Sequence, residues 1–202
     1  RGHNFCELWP NDPWERSAPG YECNYSIADE AGLPINGVTP HMGWQGGNIT
    51  SPQRLEVYRE ACARLMRRAR NHPSIVMWGT SGNMTGGSLN PASVGQREVA
   101  RAEDIKRSRG DYQSTITRAR AGIDVHRRLD PTRPVFIHNG GTNGDIYTIN
   151  NYLVGIPLQE REEWLSNYAE DGDMPLMYVE FGTPLSFDYM RGRRGFILAA
   201  QS

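Results

Sequence analysis

Lysine is nearly absent from this chain: among 22 basic residues Lys106 is the only one, the rest being arginine. That bias reflects genome composition rather than function. A strong net charge is also missing. At −1, no global field selects nucleic acid or a membrane surface as partner. No apolar run approaches the roughly 20 residues of a membrane span, which fits a soluble protein, with periplasmic or secreted locations open. Cysteine is scarce: Cys6, Cys23 and Cys62 are odd in number, far apart and without a CxxC pair. They suit neither a disulfide framework nor a zinc site, and buried free thiols are expected. There is no initiator Met or signal peptide before Arg1, so the sequence reads as part of a larger polypeptide. No repeat or low-complexity linker divides it, and residues 1–202 read as a single, partial domain.

What is present is an alternation of strand and helix. The 202 residues suffice for one real core. Phe5 to Trp9 is a short strand candidate. Tyr21 to Ala31 reads as a helix stopped by Gly32, where a left-handed residue is needed. Leu33 to Val38 is a strand. Pro52 to Arg70 is the clearest helix, with Pro52 in its first turn and Leu55, Tyr58, Cys62, Leu65 and Ala69 on one face. Arg64, Arg67, Arg68 and Arg70 alternate with that stripe and read as a solvated face rather than a phosphate site. Ile75 to Trp78 is a continuous apolar run, expected of a strand covered on both faces. Tyr112 to Leu129 is helical, Pro134 to His138 and Ile146 to Leu153 are strands, and Gln159 to Glu170 is a helix. Leu176 to Val179 is a strand ending at Glu180. This order argues for parallel βα units. The stretch from Gly79 to Asp111 is a long connection of the kind that is often functional.

Asn71-His72-Pro73-Ser74, the apolar run to Trp78, and then Gly82-Asn83-Met84 resemble the fourth-strand signature of the glycoside hydrolases of clan A, family two, which includes β-galactosidases and β-glucuronidases. Ile27-Ala28-Asp29-Glu30-Ala31-Gly32-Leu33 resembles that family's approach to its third strand. Leu129-Asp130-Pro131-Thr132-Arg133-Pro134-Val135 resembles its approach to the fifth. Pro175-Leu176-Met177-Tyr178-Val179-Glu180-Phe181-Gly182 resembles its seventh strand. Four matches in the right order imply a (β/α)8 TIM barrel, partial, from about strand two to strand seven. A complete barrel needs about 250 residues.

The resemblance implies an enzyme that hydrolyses O-glycosidic bonds, with Glu180 as nucleophile and Asn83 as the anchor of the sugar's 2-hydroxyl. It departs at Met84, which stands where the family's acid/base Glu is found and can neither give nor take a proton. The acid must then come from elsewhere. Glu7, on a strand face with Phe5 and Trp9, Asp145 after the Gly140-Gly141 loop, and Glu160 at a helix start are the candidates. An inverting mechanism, with carboxyls roughly 6.5–9.5 Å apart, is a further option.

His41 and His138 each end a strand and are expected on the same rim as Glu180, either binding sugar hydroxyls or acting as the displaced acid. Trp78, Trp44 and Tyr147 are candidates to stack on sugar rings. His72 is expected at a turn and His126 on a helix surface. No cofactor is expected, and a carbohydrate is the expected partner. Two other readings stay open. One is an inactive barrel that only binds carbohydrate. The other is a metal-dependent hydrolase built on His41, His138 and Glu180.

Overall fold

The computed structural model describes residues 4–8, 19–40, 49, 51–80, 112–138, 140–151, 159 and 166–181. Their elements run in the order α1 (Pro19–Ala31), β1 (Ile35–Val38), α2 (Pro52–Ala69), β2 (Ile75–Thr80), α3 (Tyr112–Leu129), β3 (Val135–Ile137), β4 (Tyr147–Asn151), α4 (Ser166–Asp171) and β5 (Leu176–Phe181). β1, β2 and β3 form one parallel sheet in chain order, and β4 pairs with β5 in parallel. Helices separate successive strands, as parallel crossovers require. All five strands therefore present their carboxyl ends on the same side of their sheets. No described helix is long and apolar enough to cross a membrane.

The segment before α1 keeps only part of the expected strand. Cys6 makes a single parallel bridge to Ile35, its N–H donating to the Pro34 carbonyl at 3.1 Å. The next rung is made by a side chain. The Asn36 amide accepts from the Leu8 N–H at 2.6 Å and donates to the Leu8 carbonyl at 3.0 Å. Cys6 is exposed, not the buried thiol the sequence suggests, whereas Cys62 is buried in α2.

α1 ends where expected. Gly32 has φ +62° and the Leu33 N–H reaches back to the Ala28 carbonyl at 2.9 Å, the left-handed cap that glycine takes without penalty. α2 begins on Ser51, whose hydroxyl accepts from the Arg54 N–H at 3.2 Å, with Pro52 in the first turn, satisfying an otherwise orphan donor. Its buried face is Tyr58, Cys62, Ala63, Met66 and Ala69, and Arg64, Arg67, Arg68 and Arg70 are exposed.

β2 is not covered evenly. Its register against β1 shifts between Ile35 and Asn36, so that Ile35 faces Ile75 while Asn36 faces Met77. Val76 is the residue skipped, and it is 38% exposed. Such a bulge reverses the alternation of side chains beyond it. Beyond it, Trp78 joins the core formed with Ile35, Met66, Ile123, Val135 and Ile137, and Thr80 hydrogen-bonds the Tyr58 hydroxyl of α2 at 2.9 Å. The opposite, inner face carries Asn36, Gly79 and Phe136: a Cβ on Gly79 would lie 2.5 Å from the Asn36 amide nitrogen and 3.1 Å from the Phe136 ring.

Polar locks hold the amino ends of the strands. Asp130, just after α3, accepts from the Trp78 indole at 2.9 Å, from the Thr132 N–H and hydroxyl at 3.0 and 2.5 Å, and from Arg133 at 2.6 Å. Burial pushes its carboxyl upward, but the bonds from Thr132, Trp78 and Arg133 outweigh that and hold it well below the usual carboxylate range. Arg133 also donates to the carbonyls of Ile75 and Arg70, both at 2.8 Å. Asp29 of α1 binds His72 at 2.6 Å and the Ser74 N–H at 2.9 Å, which fixes the turn into β2.

The two sheets meet along β3 and β4. Thr148 exchanges backbone bonds with Gly141 at 3.0 and 3.1 Å. Its hydroxyl donates to the Ile137 carbonyl and accepts from the Gly140 N–H at 2.9 Å. Nearer the amino end, Asp145 donates its N–H to the Val135 carbonyl at 2.8 Å, and its carboxylate accepts the Val135 N–H at 2.8 Å.

His126 is not on a helix surface. It is fully buried in α3, with Nδ1 2.8 Å from the Gly122 carbonyl and Nε2 2.9 Å from the Thr39 hydroxyl. Thr39 also donates to the Gly79 carbonyl at 2.8 Å. A neutral ring therefore donates from Nδ1, and Thr39 offers one proton to two acceptors.

Two predictions follow from this packing. A Cβ on Gly37 would stand 2.1 Å from Cζ3 of Trp78, so Gly37→Ala is expected to destabilise the fold by about 1–3 kcal/mol. An unchanged urea midpoint for that variant would contradict the placement of the indole. Burial lowers His126 from 6.5 to about 4. Between those values the unfolded chain binds a proton that the folded chain refuses, so stability falls as pH drops through the window, by at most about 3 kcal/mol. His126→Gln should flatten the urea midpoint between pH 7 and pH 4.5 relative to the unaltered chain; equal slopes would refute the assignment.

Candidate active site

Parallel strands place their carboxyl ends together, and in barrels of this kind the chemistry is built there. Among the described side chains, that end carries a pair joined across the inner face. His138 follows β3 directly. Its Nδ1 lies 3.0 and 2.9 Å from the two carboxylate oxygens of Glu7, which is 131 residues away in the chain. The His138 side chain is 3% exposed and that of Glu7 16%. Glu7 gains its position from its neighbours: Cys6 is bridged to Ile35, and Leu8 is gripped by Asn36. Gly79, without a side chain, leaves room for the Asn36 amide to do so.

Asn36 was not apparent from the sequence as part of this rim. Its signal was present: a polar residue inside a short buried strand, Ile35–Val38, only 2% exposed. Such a group must find partners, and here it finds both polar atoms of a neighbouring peptide.

Glu180 is placed by its backbone. It is the penultimate residue of β5, opposite Asn150 on β4, at the same end of the strands as His138. The β4–β5 register shifts between Ile149 and Asn150, just before that pair. Irregularities of this sort are common beside active sites, where they terminate pairing or re-aim side chains.

Three of the expected sugar-binding residues lie elsewhere. Trp78 is 0% exposed, inside the core between the sheet and its helices, with its indole N–H given to Asp130. Tyr147 is 1% exposed at the amino end of β4 and packs with Ile149, Leu176, Tyr178 and Tyr168 of α4. Both are structural, because the faces they occupy are turned toward helices. Asp145 is committed to the Val135 N–H and to Arg127 at 2.5 Å, at the entry to β3 rather than at its exit. His41, Trp44, Asn83, Met84 and Glu160 lie outside the described residues. Of the proposed acids, Glu7 is therefore the one seen at the rim. Among the described residues no cluster of three or more His, Cys, Asp or Glu could hold a metal ion.

Comparison with known proteins agrees with this architecture. The chain is 30% identical over 146 residues to a β-galactosidase of Pectobacterium atrosepticum, a match covering 70% of this chain and 11% of that enzyme. It is 28% identical over 180 residues to the β-glucuronidase of Rattus norvegicus, covering 77% of this chain and 23% of that enzyme. It thus spans about a tenth to a quarter of the length of these relatives. Its fold is similar to that of Parabacteroides merdae β-glucuronidase, with a TM-score of 0.59 at 18% identity over 89% of this chain and 20% of that one. Residues 22–186 match the family described as "Glycosyl hydrolases family 2, TIM barrel domain". The chain belongs to glycosyl hydrolase family 2, and its parallel strands and their helices form part of that family's (β/α)8 barrel.

Proposed function

We propose that this protein is a glycoside hydrolase that cleaves O-glycosidic bonds of a carbohydrate, with Glu180 as its nucleophile. The observation that carries the reading is the family match over residues 22–186, joined to the position of Glu180 near the carboxyl end of a parallel strand. A carboxylate at that end can attack the anomeric carbon and form a glycosyl-enzyme intermediate, which water then resolves. The relatives named β-galactosidase and β-glucuronidase support a β-linked hexose or hexuronic acid as the sugar. Asn83 is assigned to the 2-hydroxyl, and His41 and Trp44 to the surrounding subsite, on the resemblance of their segments alone.

Met84 favours a second reading, a barrel that binds carbohydrate without cleaving it, because a thioether has no proton to offer a leaving group. A metal-dependent reaction at His41, His138 and Glu180 has less support. The one side chain of that trio that the structure describes, His138, has its Nδ1 taken up by Glu7.

Hydrolysis of 4-nitrophenyl β-galactoside and β-glucuronide should fall by about 10³-fold or more in Glu180→Gln, with the melting temperature retained. Undiminished turnover in that variant would remove Glu180 from the chemistry. Calorimetric binding of galactose or glucuronate without any product release from the aryl glycosides would select the binding-only barrel.

A further inference from the structure

The ion pairs among the described residues fall into two groups. Glu56–Arg59 and Asp124–Arg127 lie on helix surfaces, and Asp29–His72, Asp130–Arg133 and Arg127–Asp145 brace the amino ends of strands. Glu7–His138 is the exception. It sits at the carboxyl end of the sheet, on the inner face, and its imidazole is 3% exposed. Two ionisable groups that deep are a poor source of stability, since well-packed apolar residues do as well or better. At the other end of the molecule such pairs serve the fold. At this end the same expense coincides with the place where a barrel does its chemistry.

The surroundings are built to hold the pair. Asn36 clasps both polar atoms of the Leu8 peptide next to Glu7, at 2.6 and 3.0 Å. Gly79 omits the Cβ that would come within 2.5 Å of the Asn36 amide. Both Glu7 oxygens converge on one imidazole nitrogen, Nδ1 of His138. A carboxylate on Nδ1 fixes the tautomer, orients the ring and stabilises the imidazolium, which leaves proton exchange with substrate to Nε2.

We propose that His138 is the general acid and base of this site and that Glu7 is its positioning residue, an inference that rests on the glycosidase reading above. In the first step a Glu180 carboxylate oxygen bonds to the anomeric carbon. The glycosidic C–O bond breaks, its electron pair stays on the leaving oxygen, and that oxygen takes the proton from Nε2 of the His138 imidazolium. In the second step the neutral imidazole takes a proton from a water molecule whose oxygen bonds to the anomeric carbon. The bond to Glu180 breaks and its electron pair returns to the carboxylate. One water is added across the glycosidic bond and the enzyme is restored. Met84, with no dissociable proton, is not needed for either step.

The test compares leaving groups, using the full chain. Phenyl glycosides need protonation of the departing oxygen and 2,4-dinitrophenyl glycosides do not. For β-galactosides and β-glucuronides, His138→Asn should lower kcat/KM on the phenyl substrates by about 10²–10⁴-fold and on the dinitrophenyl substrates by less than about tenfold. The alkaline limb of its pH profile should disappear. Glu7→Gln, nearly isosteric, should show the same leaving-group dependence in smaller measure, and Glu7→Asp should recover part of the loss. Circular dichroism identifies any variant that fails to fold, and Glu7→Gln then carries the test. Equal losses on both leaving groups in folded variants, or no loss, would overturn the proposal while leaving the glycosidase reading standing. No turnover of any of these substrates by the unaltered chain would defeat both.

Discussion

The carboxylate of Asp130 is the fixed point of the described fold. It gathers the Trp78 indole from β2, the backbone and hydroxyl of Thr132, and the Arg133 guanidinium. Arg133 then reaches on to the carbonyls of Ile75 and Arg70, and its guanidinium lies 5.9 Å from the Trp78 ring centre. In this way one buried charge, stabilised by several donors at once, ties the end of α2, the start of β2, the end of α3 and the entry to β3. The strands can then run upward from a common origin, and whatever is grafted on their far ends inherits that alignment.

From this base the molecule separates two kinds of space. Outside the sheet, between strands and helices, lie Trp78, Thr80, Tyr58 and His126, with polar atoms satisfied locally. Burial drives Tyr58 well above its ordinary value and Cys62 up to about 12, so neither is poised to ionise, and this layer is packing rather than chemistry. Inside the sheet lie Asn36, Gly79, Phe136 and the Glu7–His138 pair. The shift of register between Ile35 and Asn36 is what sorts the residues of β2 between these spaces.

The sequence made the architecture readable because its periodicities are clean. Pro52 and Gly32 mark helix boundaries that the structure reproduces, and the alternation of helix and strand pointed to parallel crossovers. Three residues misled for one reason. Trp78, Tyr147 and His126 were judged by where they fall along an element, whereas their surroundings are decided by partners far away: Asp130 for Trp78, Tyr168 for Tyr147, and Thr39, 87 residues distant, for His126. A bulge cannot be seen in a run such as Ile75-Val76-Met77-Trp78, yet it determines which of those side chains faces inward. Asp145 misled differently: its neighbouring glycines suggested a substrate loop, but its carboxylate completes the strand pairing that Val135 would otherwise lack. Glu7 and His138 were each legible as candidates. That they touch was not, since nothing local relates positions 131 apart.

The junction between β3 and β4 has a quieter implication. Between the two sheets a continuous backbone ladder is replaced by two clamps, Asp145 on Val135 and Thr148 on Gly140, Gly141 and Ile137, and each relies on a side chain. The aperture between the β3 and β5 halves of the rim is therefore set by a carboxylate and a hydroxyl. Evolution can widen or narrow it by exchanging single residues, retuning which guests the cavity admits without redrawing any strand.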